Sequence, residues 1–75
     1  MLMNYSDIII LDPEIRFGKP VITGTRISVS DVLGWLASGM TIDQIIEDFP
    51  QLSKEQILAC LAYSDDSDRN ATGNL

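Results

Sequence analysis

The fold of this chain is decided by residues 28–63, which read SVSDVLGWLASGMTIDQIIEDFPQLSKEQILACLAY. Three times in this stretch, a hydroxyl residue is followed three positions later by a side chain that can accept a hydrogen bond. The three pairs are Ser28 with Asp31, Thr41 with Gln44, and Ser53 with Gln56. This is the spacing of a capping box, which satisfies otherwise unpaired amide groups at a helix start. The stretch therefore predicts three helix starts.

Two of the helix ends are also marked. Gly39 stands where a glycine commonly ends a helix, and Pro50 cannot continue the second helix because the residue before a proline avoids the helical region. Apolar residues recur at helical spacing between these marks, so each helix has one stripe that faces a shared core. The predicted helices are 29–38, 42–49 and 54–64, the last extending as far as Asp66.

The N-terminal part has a different pattern. The run Ile8–Leu11 is short and mostly β-branched, and Asp12-Pro13 closes it, so it predicts a strand. The stretch 18–28 combines turn formers with β-branched residues, which indicates a turn or irregular hairpin. Within it, Gly24 supplies the positive φ that a tight turn needs.

The expected fold is therefore mostly α, a three-helix, homeodomain-like helix-turn-helix bundle with a short N-terminal β element. We divide the chain into a strand and turn segment at 1–28, the helical domain at 29–66, and an acidic tail at 67–75 that has too little apolar content to fold. A chain of 75 residues buries only about 60% of its unfolded surface. Association with a second copy would cover more apolar surface.

Charge is distributed unevenly. The chain has eleven acidic and five basic residues, for a net charge of -6. Residues 1–30 are neutral overall, so the whole excess lies in residues 31–75. Because nucleic-acid binding depends on Lys and Arg contacts to phosphate, a basic protein partner is at least as natural for the acidic part as nucleic acid. The alternative is that these acids only keep the surface solvated.

Catalytic equipment is absent from the sequence. There is no histidine and only one cysteine, Cys60, and no phosphate-binding loop or metal-ligand spacing. We expect no enzyme activity, no metal and no cofactor, and we interpret Cys60 as a small, half-buried apolar residue. A single cysteine suits a reducing compartment. Because the sequence also has no signal-peptide pattern and no long apolar run, we expect a cytoplasmic protein.

The second and third helices have the proportions of a helix-turn-helix. In that geometry the first turn of the recognition helix meets base edges. Here that turn carries Ser53, Lys54 and Gln56, of which Lys54 can bind phosphate or guanine and Gln56 can pair with adenine. The alternative is that Gln56 only closes its capping box and that Lys54 is solvated. Lys19 and Arg26, with Arg16 nearby, form a second basic cluster that we predict to contact DNA as an anion site, the alternative being that they only offset neighbouring acids.

From Asp12 to Tyr63 the chain resembles a bacterial and archaeal family, domain of unknown function 433. The most specific match is the motif Gly18-Lys19-Pro20 followed by Gly24-Thr25-Arg26. The chain departs from the family pattern in two ways. Arg16-Phe17 stands where small residues are common, and Thr23 stands where a basic residue is frequent, which weakens the case for an anion site.

The resemblance implies an antitoxin of a type II toxin–antitoxin module, a dimer that neutralises a PIN-like ribonuclease and can repress its own operon. A stand-alone helix-turn-helix transcription regulator and a plain dimerisation or adaptor module are the alternatives. For the toxin contact we predict the acids Asp43, Glu47, Asp48, Asp65 and Asp66, which would attract a basic surface. For the homodimer we predict strand pairing through Ile8, Ile9, Ile10 and Leu11, because this strand has few evident partners in its own chain. We expect no membrane partner.

Overall fold

The computed structural model describes the backbone of residues 5–72 and the side chains of residues 5–66. Two short strands precede three helices. Their bounds are β1 (Ile9–Leu11), β2 (Pro20–Ile22), α1 (Val29–Ala37), α2 (Ile42–Asp48) and α3 (Lys54–Thr72). The predicted fold class, a mostly helical bundle of three helices with a short N-terminal β element, is confirmed.

All three predicted capping boxes are formed. The Ser28 hydroxyl accepts from the Asp31 amide at 3.0 Å, and the Asp31 carboxylate accepts from the Ser28 amide at 3.1 Å. The equivalent pairs of hydrogen bonds begin α2 and α3, with distances from 2.8 to 3.2 Å. These bonds satisfy amide groups that a helix start leaves unpaired, so the three starts lie where the local sequence predicts them.

The end of α1 forms a common helix C-cap motif. Gly39 has a φ of 105°, and its amide donates to the Leu36 carbonyl while the Met40 amide donates to the Trp35 carbonyl. These two bonds are the Schellman arrangement, in which a left-handed glycine satisfies the last carbonyls of a helix. The predicted role of Gly39 is confirmed.

The third helix is longer than the sequence predicts. We expected it to end by Asp66, with a tail from residue 67, but the backbone is helical to Thr72. Once a helix is started, each further residue adds one hydrogen bond without repeating the cost of nucleation, so helix can continue without apolar content. Residues 73–75 of the predicted tail lie outside the described residues.

The two strands form an antiparallel hairpin. Ile9 pairs with Ile22 and Leu11 with Pro20, and an isolated bridge joins Val21 to Ser28 on the other side of β2. Within residues 5–72 the sheet has these two strands, so β1 lies at its edge. The hairpin thus leads directly into the N-cap of α1.

One core joins the hairpin to the helices. Ile9 and Ile22 from the strands are buried in the same cluster as Val32, Ile45 and Ile57 from the helices. At its margin, the Trp35 and Phe49 rings stack with centroids 4.4 Å apart. Burying an isoleucine side chain contributes roughly 1.5–3 kcal/mol, so the strands are part of what stabilises the helices. None of the helices within residues 5–72 is both long and apolar enough to cross a membrane.

Candidate functional site

The loop between β1 and β2, residues 12–19, contains an unusual turn. Arg16, Phe17 and Gly18 all have positive φ, at 52°, 60° and 82°. Glycine adopts this conformation freely, whereas Arg and Phe do so at a steric cost. The Phe17 side chain is nevertheless 99% exposed, so contacts with the part of the chain that the structure describes do not offset this steric cost.

Arg16 holds this turn against the start of α1. Its guanidinium donates to the Asp31 carboxylate at 3.1 Å and to the Arg26 carbonyl at 2.9 Å. Burial alone would raise the pKa of Asp31, but hydrogen bonds from Ser28 and Arg16 outweigh it and lower that pKa below its ordinary value. The contact joins residues 15 positions apart, and opposite charge was the only sequence signal for it.

The residues of the Gly-Lys-Pro and Gly-Thr-Arg motif shape the hairpin. Gly24 has a φ of 81° in the turn after β2, as predicted. There the Thr25 hydroxyl donates to the Ile22 carbonyl at 2.9 Å and accepts from the Ile27 amide at 3.0 Å. Lys19 and Arg26 are exposed. Their binding to an anion or to DNA stays a prediction.

A shallow apolar groove lies beside this loop. It has a volume of about 280 Å³, and its apolar lining comes from Pro20, Val29, Leu33 and Tyr63. Lys19, Ser30 and Ser64 supply its polar lining. Sequence reasoning missed this groove because its residues come from β2, α1 and α3, which only the tertiary structure brings together.

Three of the predicted DNA-binding residues lie at the first turn of α3. Ser53 and Lys54 are exposed, whereas Gln56 is half-buried and its carboxamide oxygen accepts from the Ser53 amide at 2.8 Å. A paired contact to adenine uses both the oxygen and the nitrogen of a glutamine. The Gln56 oxygen would therefore have to accept a second hydrogen bond, besides its capping bond, to make that contact.

The predicted partner-binding acids fall into two groups. Asp43, Glu47 and Asp48 are exposed on α2, and the last two line a shallow depression together with Met40 and Gln44. Asp65 and Asp66 are exposed on α3, well away in the chain from the first group.

Asp66 has a structural partner that the sequence did not indicate. Its carboxylate accepts from the Tyr5 hydroxyl at 2.5 Å, and this hydrogen bond is the main cause of a raised pKa for Tyr5. The Tyr5 ring also meets the Tyr63 ring edge-on, with centroids 5.5 Å apart. Asp66 therefore helps to hold the N-terminal turn against α3.

The strand predicted to form the homodimer is more integrated than we expected. It was expected to have few partners in its own chain, but β1 pairs with β2 and Ile9 is only 5% exposed. Ile8 and Ile10 are half-buried, and Leu11 is 61% exposed. The part of β1 that remains available to another copy is its outer edge and the Leu11 side chain.

Cys60 is buried in the core, and burial raises the pKa of its thiol to about 11. A thiol with such a pKa is almost fully protonated at neutral pH, and the thiolate is the nucleophilic form. Among the side chains that the structure describes, no group of three His, Cys, Asp or Glu residues is placed to hold a metal ion.

Known proteins share this fold. A crystal structure of a DUF433 member protein from Anabaena variabilis superposes with a TM-score of 0.80 over 92% of this chain and 68% of that chain, at 20% sequence identity. The bundle with its N-terminal hairpin is thus a fold already seen in crystals. The family model described as protein of unknown function (DUF433) matches residues 9–64, so the chain belongs to the DUF433 family.

Two curated relatives are also similar. The uncharacterized protein y4eO of Sinorhizobium fredii is 34% identical over 59 residues, which is 79% of this chain and 27% of that protein. The putative antitoxin VapB45 of Mycobacterium tuberculosis is 39% identical over 49 residues, which is 64% of this chain and 20% of that protein. The chain therefore spans about a quarter or less of the length of these relatives.

Proposed function

We propose that this protein acts as an antitoxin, binding and neutralising a PIN-like ribonuclease, with no catalytic activity of its own. The observation that carries the proposal is the similarity to the relative named as a putative antitoxin, at 39% identity over 49 residues. The surface is consistent with this role, since the net charge of -6 suits a partner whose own surface binds RNA and is therefore basic.

The contact is proposed for the acidic face of α2. Asp43 and Glu47 are four residues apart and exposed, and Asp48 lies beside them. Residues at this spacing share one face of a helix, so their charges act together on an approaching partner. Asp65 and Asp66 add to the attraction from α3, although Asp66 also bonds to Tyr5.

The test is neutralisation of a purified PIN-like ribonuclease encoded beside this chain, a neighbour that the family resemblance implies. We expect the triple variant Asp43→Asn, Glu47→Gln, Asp48→Asn to associate at least about tenfold more slowly at low salt, with the difference shrinking at high salt. A control, Asp7→Asn with Glu55→Gln, removes exposed acids outside this face. Failure of the wild-type chain to inhibit the nuclease would refute the antitoxin role, whereas equal rates for the two variants would refute only the assignment of α2.

Repression of its own operon is the second proposed activity, because Ser53 and Lys54 are exposed at the first turn of α3, which follows α2 as a recognition helix would. Lys54→Ala should weaken promoter binding and reduce its salt slope by about one per subunit. Lys54→Arg, which keeps the charge, is the control. Promoter binding without inhibition of any nuclease would favour a stand-alone transcription regulator instead.

A homodimer is proposed as the working form, with the outer edge of β1 and Leu11 in the interface. An exposed strand edge offers unpaired backbone groups to a second copy. Light scattering at high micromolar concentration should give twice the monomer mass of 8.3 kDa. If a dimer forms but neither inhibits a nuclease nor binds its promoter, a dimerisation or adaptor module is the remaining interpretation.

A further inference from the structure

The Phe17 side chain is the most conspicuous feature that the proposed function leaves unused. Its aromatic ring is 99% exposed, and Phe17 and the preceding Arg16 are two consecutive non-glycine residues with a left-handed backbone. Strained conformations of this kind persist where surrounding contacts impose them, and they cluster at functional sites. Here the contacts of Arg16 with Asp31 and with the Arg26 carbonyl keep the turn in place and present the ring to solvent.

The apolar groove beside the loop has the size for such a ring. Its volume of about 280 Å³ exceeds the roughly 150 Å³ of an apolar cavity that holds benzene. Pro20, Leu33 and Tyr63 offer it an apolar lining. Because Phe17 is almost fully exposed, it does not occupy the groove of its own chain.

Phe17 and the groove are close to each other along the chain. Phe17 is two residues before Lys19, a groove residue, so their Cα atoms are at most about 7 Å apart. A two-fold contact requires each copy to present both the inserted group and its receptor, because both copies use the same patch. An unrelated partner would need only one of the two. The presence of both favours a second copy of this chain as the occupant.

We propose that two copies associate about a two-fold axis, with Phe17 of each seated in the Pro20–Leu33–Tyr63 groove of the other. The charges of the loop agree with this arrangement, since Glu14 and Lys19 are exposed on opposite sides of Phe17 in the chain and can pair reciprocally across the axis. The surface is also continuous with the end of β1, because Leu11 pairs with Pro20. The inference rests on the proposed homodimer, and it requires neither the toxin nor DNA.

The first experiment is sedimentation equilibrium on the full chain. Phe17→Ala should raise the dimer dissociation constant at least about 30-fold, as loss of a buried aromatic anchor does. Leu61→Ala is the control, since Leu61 is an exposed apolar residue, at 40%, outside the groove. A monomeric wild type would overturn both the homodimer and this inference. A dimeric wild type with an unchanged constant for Phe17→Ala would overturn this inference alone.

The second experiment tests the reciprocity. Ser30 is exposed and lines the groove, so Ser30→Arg should obstruct the groove without disturbing the core, while Ser30→Ala should not. Copies with Phe17→Ala lack the ring and copies with Ser30→Arg lack the receptor, so neither variant can make the contact with itself. A mixture of the two restores one of the two contacts, and we expect it to associate at least about tenfold more tightly than either variant alone. No gain on mixing, with both variants folded by far-ultraviolet circular dichroism, would overturn the two-fold arrangement.

Discussion

The helical segment at 28–66 and the loop at 12–19 reach their conformations by different routes. Each helix start is set by bonds between residues three apart, such as Thr41 with Gln44. The loop also has local backbone bonds, such as that from the Ile15 amide to the Asp12 carbonyl, but its position against α1 is set by Arg16, which reaches 15 residues along the chain to Asp31. Conformations set by neighbours can be read from a short stretch of sequence. A conformation set by a distant partner cannot, even when every residue in it is known.

The largest expected effect tests whether the two regions share one core. Ile22 of the hairpin and Ile45 of α2 are both fully buried. Ile22→Ala and Ile45→Ala should each lower the free energy of unfolding by about 2–5 kcal/mol, through lost burial and the cavity left behind. Urea unfolding followed by Trp35 fluorescence and by circular dichroism should give one coincident transition. Separate transitions, or a much smaller effect for Ile22→Ala, would show that the hairpin folds apart from the helices.

A backbone substitution in the loop should have the next largest effect. Gly18 has a φ of 82°, and a Cβ there would meet only the Pro13 Cα at an ordinary 3.9 Å. Gly18→Ala should therefore destabilise the fold by about 1–2 kcal/mol through backbone strain alone. The measurement is the midpoint of urea unfolding. No loss of stability would mean that the left-handed turn relaxes readily and is not held by Arg16.

The matched substitution in a helix should act in the opposite direction. Gly34 lies within α1, and a Cβ there would meet nothing within 4 Å. Gly34→Ala should stabilise the protein by up to about 1 kcal/mol, because alanine loses less backbone freedom than glycine in a helix. Urea unfolding under the same conditions gives the comparison with Gly18→Ala. If both substitutions changed stability in the same direction, the contrast between the two regions would fail.

The smallest expected effect concerns the ion pair between Arg16 and Asp31, which links the loop to α1. The pKa of Asp31 is lowered in the folded state, so its stabilising contribution is present above the ordinary value of 3.8 and is lost as the pH falls below that value. Because the ion pair with Arg16 is about one third exposed, the loss should be less than about 1 kcal/mol. Between about pH 5 and pH 2, the stability of Asp31→Asn should therefore fall less steeply than that of the wild type. Asp43→Asn, an exposed acid outside the contact, should leave the wild-type slope in place.

Much of the fold followed from particular residues. The pairs of Ser28, Thr41 and Ser53 with their partners predicted each helix start, and Gly39 and Pro50 predicted two helix ends. The third end was wrong, because α3 runs to Thr72 and no residue near Asp66 marks a stop. Polar composition is a weak indication of where a helix ends once the helix is supported at its start.

The binding surfaces were harder to predict from the sequence than the helices were. The exposed acids of α2 were identified by their spacing, and their binding role stays a prediction. The groove lined by Pro20, Leu33 and Tyr63 was not foreseen, and neither was the bond from Tyr5 to Asp66, which spans 61 positions. Residues that meet across three elements leave no periodic pattern in the sequence.

The sequence by itself determined the three helices and their capped starts. Those features depend on backbone groups that side chains three or four residues away must satisfy, so neighbouring residues contain the information. Only the tertiary structure decided that Arg16 binds Asp31, that Phe17 faces solvent, and that a groove lies beside it. These outcomes depend on which distant segments the common core brings together, and packing of that kind is a property of the whole chain.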